Sequence, residues 1–181
     1  ELCRHTKYQS RLKNEINEYL YKLNGRPISY GDFKNFPFLT RCITETLRLW
    51  PVVANGTFRK TTTITKIRGK NNLMIDIPLD TNIQILNWNR HRSIKLWGND
   101  ANIFNPDRDF KDSELWNNKY FSGYNPSTER FSPFSYGPRD CLGKNFAQME
   151  IRLLIINLLH NFTFSLTETQ QLSSNENYLG I

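Results

Sequence analysis

Cysteine and histidine are scarce. The 181 residues hold three of each: Cys3, Cys42 and Cys141, and His5, His91 and His160. They are far apart, and no Cys-x-x-Cys occurs, so neither a disulfide framework nor a zinc cluster is expected. A reducing compartment fits such usage best. No apolar run reaches the roughly 18 residues that a transmembrane helix needs, so no membrane span is expected within these residues, and no secretory leader is recognised. Asn55-Gly-Thr57 and Asn161-Phe-Thr163 match the glycosylation sequon and are read as accidental. Internal repeats are absent. Basic residues are in excess, giving a net charge of +7, but no basic run is interleaved with aromatics. Nucleic acid is therefore the weakest partner class, behind an anionic membrane surface or an acidic protein. The chain starts with Glu1 rather than Met and reads as mid-helix at once, so truncation is expected at both ends.

What is present fits one domain with a core of its own. Tyr8, Leu12, Ile16, Tyr19, Leu20 and Leu23 share a face at helical spacing, which predicts a helix over residues 6–24 closed by Gly25 and Pro27. Residues 30–36 read as a polar-aromatic turn region. Pro37 opens a second helix over 38–49, and Pro51 closes it. Within it, Glu45 and Arg48 lie on one face and can pair. Apolar neighbours would bury that pair, which then needs further hydrogen-bond partners. Val52 to Arg59 reads as extended and irregular. Strands are expected around Ile64 with Ile67, Leu73 with Ile75, and Ile83 with Ile85, with Gly69-Lys-Asn-Asn72 as a turn. Residues 111–130 read as a long polar loop. A helix over 142–159 is apolar almost all round in its second half, with Phe146, Met149, Leu153 and Ile156 on one face, and is expected to be buried. Phe162 and Phe164 then begin a strand.

The chemistry gathers at Phe134-Ser-Tyr-Gly137-Pro-Arg139-Asp-Cys141-Leu-Gly143. A lone cysteine is usually a small buried hydrophobe, and Gly-Pro usually only a turn. This cysteine, however, stands just before a helix N-terminus, where the macrodipole and backbone N–H groups favour the thiolate. Gly137 permits a positive-φ turn, and Gly143 admits a flat partner close to the backbone. Arg139 adds a cation. The loop looks built to present one thiolate to something large and flat.

Phe134, Gly137, Arg139, Cys141 and Gly143 match every fixed position of the Phe-x-x-Gly-x-Arg-x-Cys-x-Gly signature, and the chain resembles the C-terminal part of a eukaryotic-type cytochrome P-450. Glu45-Thr-Leu-Arg48-Leu-Trp-Pro51 is similar to the family's Glu-x-x-Arg helix. His91-Arg92 through Trp97-Gly98 resembles its His-Arg-Asp-Pro-x-x-Trp segment, with Ser93-Ile94 in place of Asp-Pro. Phe104-Asn-Pro106-Asp-Arg108 resembles Phe-x-Pro-Glu-Arg, with Asp107 for Glu and an extra Asp109 before Phe110. Asn177 to Ile181 resembles the family's terminal β-region.

The resemblance implies a mainly α fold with small β-sheets (α+β), and a single partial domain over 1–181 whose N-terminal half and last strand are missing. It implies haem b as cofactor, with Cys141 as the axial ligand of its iron. A thiolate donates electron density to the iron and favours O–O cleavage. Phe134 and Gly143 would lie against the haem, and Arg139 and Arg59 would pair with its propionates. Glu45, Arg48 and Arg108 would form a structural network holding the cysteine loop, and His91 would be structural too. Lys144, Arg139 and Arg152 would help dock an acidic electron donor. The implied reaction is monooxygenation of a small hydrophobic organic substrate with O2, using electrons from NADPH-cytochrome P-450 reductase or a similar donor. The endoplasmic reticulum membrane, cytoplasmic face, is the implied location, with membrane association only through the missing N-terminal region. The family's distal O2-activating helix has no match, so the catalytic distal residues are absent and the fragment is expected to be inactive alone. A haem-thiolate isomerase or dehydratase of the same fold, and a non-catalytic fragment, are the alternative readings.

Overall fold

In a computed structural model, residues 1–116 and 128–173 are described, with side chains to residue 170. Residues 117–127 of the expected polar loop, and the expected terminal β-region at 177–181, lie outside the described residues. The helix α1 runs from Thr6 to Leu23 and buries Gln9, Leu12 and Ile16. It ends where Asn24 adopts a left-handed conformation, which asparagine tolerates. A 3-10 turn, Tyr30–Asn35, leads into α2, Pro37–Leu49. Pro37 lacks an N–H that a helix start would leave orphaned anyway. The next two N–H groups, of Phe38 and Leu39, donate to the two oxygens of Glu15 at 2.8 and 2.9 Å. A carboxylate on α1 thus caps α2 and fixes the angle between them.

Four short strands follow. β1 (Thr57–Lys60) pairs antiparallel with β4 (Asn82–Ile85), and β2 (Thr65–Arg68) with β3 (Met74–Ile77). The extended stretch expected to end irregularly at Arg59 therefore ends as a strand, with Arg59 opposite Ile83. Two short helices, α3 (Asn87–His91) and α4 (Ile94–Trp97), carry the chain back to the core. After the cysteine loop comes α5, Lys144–Asn161, and a last short helix, α6, spans Glu168–Ser173.

The core joins Leu12 and Ile16 of α1, Leu39, Ile43 and Leu47 of α2, Trp97, Phe131, and Ile156 and Leu159 of α5. The architecture is mainly helical with two small antiparallel sheets, the α+β class expected. Among the described residues, no helix is long and apolar enough to cross a membrane.

Two expectations fail. α5 is not buried all round: it buries Gln148, Arg152, Ile156 and Leu159, while Phe146 is 66% exposed and Leu154 54%. Within this chain, α1 covers one side of α5, and the apolar stripe from Phe146 to Leu158 stays open. The strand expected from Phe162 does not form either. Gln9 of α1 donates to the Phe164 carbonyl at 2.8 Å and accepts the Phe164 N–H at 2.8 Å, while Lys13 Nζ donates to Phe162 O at 3.0 Å. Side chains of α1 take the backbone groups that a neighbouring strand would have used.

Candidate functional site

The cysteine loop is held from within. Cys141 N–H donates to Phe134 O at 2.9 Å, closing the loop onto its own start. Gly137, at φ +74°, makes the reversal between them, in the left-handed region that glycine enters without strain. Ser135 reaches φ +65° as well, a costlier conformation for a residue with a Cβ. Cys141 is an exposed, free thiol. It stands ahead of α5, whose N-cap is Gly143; a Cβ built on that glycine would lie 3.9 Å from the sulfur. The ring of Phe134 meets Trp116 edge-on at 5.8 Å between centroids. Phe134, Arg139 and Cys141 line one cleft of about 490 Å³, together with Val52, Val53 and Phe58. Arg139 is exposed and pairs with none of the described residues. Arg59 donates to Phe58 O at 2.9 Å and to Ser135 Oγ at 3.4 Å, and pairs with no carboxylate among the described residues.

Behind the loop lies a buried charged cluster. Glu45 and Arg48 are both fully buried and form a two-pronged pair at 2.7 and 2.8 Å. Arg48 also donates to the carbonyls of His91 at 2.7 Å and Ala101 at 2.6 Å. Glu45 Oε1 accepts the Asn105 N–H at 2.9 Å, and the Arg108 Nε lies 3.4 Å from it. Arg108 donates further to Trp97 O at 3.1 Å and Asp100 Oδ1 at 2.7 Å. Such extra hydrogen bonds are what a buried ion pair needs to offset its desolvation.

The cytochrome P-450 family profile matches residues 1–181. The chain belongs to the cytochrome P-450 family. It is 32% identical over 169 residues to cytochrome P-450 714B3 of Zea mays, covering 92% of this chain and 28% of that protein. It is 30% identical over 169 residues to echinocystic acid 23-monooxygenase of Saponaria officinalis, covering 92% of this chain and 29% of that one. A zebra fish cytochrome P-450 structure with abiraterone superimposes with a TM-score of 0.71 at 27% identity, covering 92% of this chain and 35% of the other. The chain thus spans less than a third of the length of these curated relatives.

Within this cytochrome P-450 chain the structure brings Phe134, Arg139 and Cys141 to one cleft and puts Gly143 beside the sulfur. Arg59 reaches the same loop through Ser135. Glu45, Arg48 and Arg108 form one cluster, which touches the loop only indirectly. The link is His91: Arg48 holds its carbonyl, and its ring Nε2 accepts the Ser132 N–H at 3.2 Å, two residues before Phe134. The sequence marked His91 as structural but gave no sign of this relay.

Burial, with the nearby Arg90 and Arg48 charges, pushes the His91 pKa down from 6.5 to about 3. A histidine kept neutral in the fold but protonated when unfolded stabilises fully above its unfolded pKa. That contribution is lost as pH falls from about 6.5 towards 3. Unfolding free energy of the intact protein should therefore drop by up to ~1.4 kcal/mol per pH unit in this window on account of His91. His91→Gln should flatten that slope in urea titrations at pH 6.5 and 5; an unchanged slope would remove His91 from the account.

Arg152 corrects the docking expectation. It is 1% exposed, so it cannot meet a partner. It donates to Gln148 O at 3.0 Å, to Thr40 Oγ1 at 3.3 Å and to Trp116 O at 3.2 Å. Burial pushes its pKa down to about 10, which leaves it charged at neutral pH. Lys144 is half-buried and pairs with Asp140 one turn back. Sequence reasoning also passed over Glu114, fully buried and gripped by both arms of Arg130 at 2.7 Å. Burial alone would raise the Glu114 pKa, but Arg130, Thr128 and the Lys111 N–H outweigh it and hold it low. Carboxylate and arginine are sixteen positions apart, so no local periodicity marked the pair.

Proposed function

We propose that this chain is the C-terminal, haem-binding part of a cytochrome P-450 monooxygenase acting on a small organic substrate. The observation that carries this reading is the exposed Cys141 thiol in a cleft shared with Phe134 and Arg139. The residues suit a haem: a free thiol for the iron, an aromatic wall, a glycine beside the sulfur, and two guanidiniums without carboxylate partners among the described residues. When bound, haem supplies dioxygen activation, so that one oxygen atom of O2 enters an organic substrate with electrons from a reductase.

Each residue has a separate task. Cys141 would hold the haem iron, and the hydrogen bond to Phe134 O fixes where its backbone sits. Arg59 and Arg139 take the propionates, for which a planar fork is the matching donor. Phe134 and the apolar side chains of Val52 and Val53 give the cleft an apolar lining. Glu45, Arg48 and Arg108 hold the scaffold through the His91–Ser132 relay and take no part in the chemistry.

The test is the carbon monoxide difference spectrum of the full-length protein carrying this chain. A thiolate-type band is expected in the wild type and should be abolished in Cys141→Ala. Persistence of that band in the variant would defeat the ligand assignment.

A further inference from the structure

Arg90 belongs to none of the motif positions, yet the fold turns it towards a second cleft of about 500 Å³ that it shares with Arg59, Ser132 and Ser135. Ser135 and Thr57 line both this cleft and the one holding Cys141, so the two spaces adjoin. Arg90 is anchored through one nitrogen only: its Nη2 donates to Asn87 Oδ1 at 2.9 Å and to Ser132 Oγ. Its Nε is enclosed without a partner. Its Nη1 has no hydrogen-bond partner among the described residues and is not fully enclosed, and Arg90 lines the cleft. Glu129 lines the same space but forms an ion pair with neither arginine. Burial lowers the Arg90 pKa, as befits a cation set in a partly dry place with no counter-ion at contact. Among the described residues, two forked cations line this cavity against one carboxylate, which leaves it net positive, and a planar carboxylate is the anion that guanidinium forks bind best.

We infer that Arg90 and Arg59 form a carboxylate-binding subsite beside the cysteine cleft, with Arg90 a positioning residue for a carboxylate of the ligand held there. This rests on the haem-thiolate reading, in which that carboxylate is a propionate. A free organic carboxylate would use the same chemistry. The hydrogen bond from Arg90 to Ser132 couples the subsite to the residue that His91 also holds, so occupancy would stiffen the approach to Phe134.

The experiment uses the full-length protein, as wild type, Arg90→Lys and Arg90→Leu. Each is loaded with haem or with haem dimethyl ester, in which both propionates are blocked. Release to excess apomyoglobin is followed, with the carbon monoxide spectrum recorded alongside. Haem release should be about tenfold faster in Arg90→Leu, the worth of one charge-assisted hydrogen bond, and intermediate in Arg90→Lys. With the ester, the three should release alike, and all should keep the thiolate band. A difference that survives with the ester, together with sodium propionate binding to wild type and not to Arg90→Leu by calorimetry, keeps the subsite and makes its ligand a free carboxylate. Equal haem release without propionate binding overturns the subsite. So does a difference surviving with the ester without propionate binding, which would mark a purely structural arginine. Absence of a thiolate band in the wild type removes the haem-thiolate reading and this inference with it.

Discussion

Arg48→Leu should destabilise the intact protein by about 3–5 kcal/mol, the cost of stripping one partner from a buried ion pair. Among the described residues, the leucine leaves Glu45, fully buried, with the Asn105 N–H and the more distant Arg108 Nε. It also leaves the carbonyls of His91 and Ala101 without the donor that now reaches both. Arg108→Leu should cost less. Its contact with Glu45 is longer, at 3.4 Å, and its partner Asp100 is 43% exposed, so water can replace much of what is lost. Urea midpoints at constant m-value would rank the two. Haem content should fall in parallel for Arg48→Leu, because the His91 carbonyl it releases belongs to the residue that holds Ser132. Equal, small losses in both variants would show that the cluster does not carry the scaffold.

Much of this site was legible because its parts are local. Glu45 and Arg48 stand one helical turn apart amid apolar residues, and the cysteine loop is a single continuous stretch. α1 and α2 were readable to within a residue at each end, since periodicity and the punctuation by Gly25, Pro27 and Pro37 agree. The misreadings are of another kind. Arg152 looked like a surface cation because its partners, Thr40 and the Trp116 carbonyl, come from distant segments. The Phe162–Phe164 alternation resembled a strand, but Gln9, 155 positions away, supplies the hydrogen bonds that would have marked one. The apolar face of α5 was real as a pattern. The helix nevertheless presents Gln148 and Arg152 inward, because a polar pocket under Trp116 and Thr40 receives them there. Arg90 and the Glu114–Arg130 pair escaped for the same reason: nothing within a helical turn announces what they meet.

Gly56→Ala is expected to be the most damaging small substitution, and it would act on Arg59. Gly56 sits at φ +72°, where a side chain costs roughly 1–2 kcal/mol. A Cβ there would fall 1.7 Å from Ile85 O, 2.8 Å from Ile85 C and 2.9 Å from Asn87 N. All three are backbone atoms, so no rotamer change relieves the clash. The main chain is also tied at the glycine and just before it. Gly56 N–H donates to Val53 O at 3.0 Å, and Trp88 N–H to Ala54 O at 3.1 Å. The alanine must therefore push β1 away from β4 at Thr57–Ile85, the end of the ladder nearest the cysteine cleft. A loss of about 3 kcal/mol or more should follow. Gly25→Ala and Gly137→Ala provide the comparison. Both glycines have positive φ, at +82° and +74°, but nothing lies within 4 Å of the added carbon. Their cost should stay near the conformational term alone, roughly 1–2 kcal/mol. If Gly56→Ala matched them, the contact with Ile85 would be soft and the turn free to open. If it far exceeds them, the strand bearing Arg59 is fixed by backbone against backbone, and the distance between that guanidinium and the cysteine loop is set before any ligand arrives.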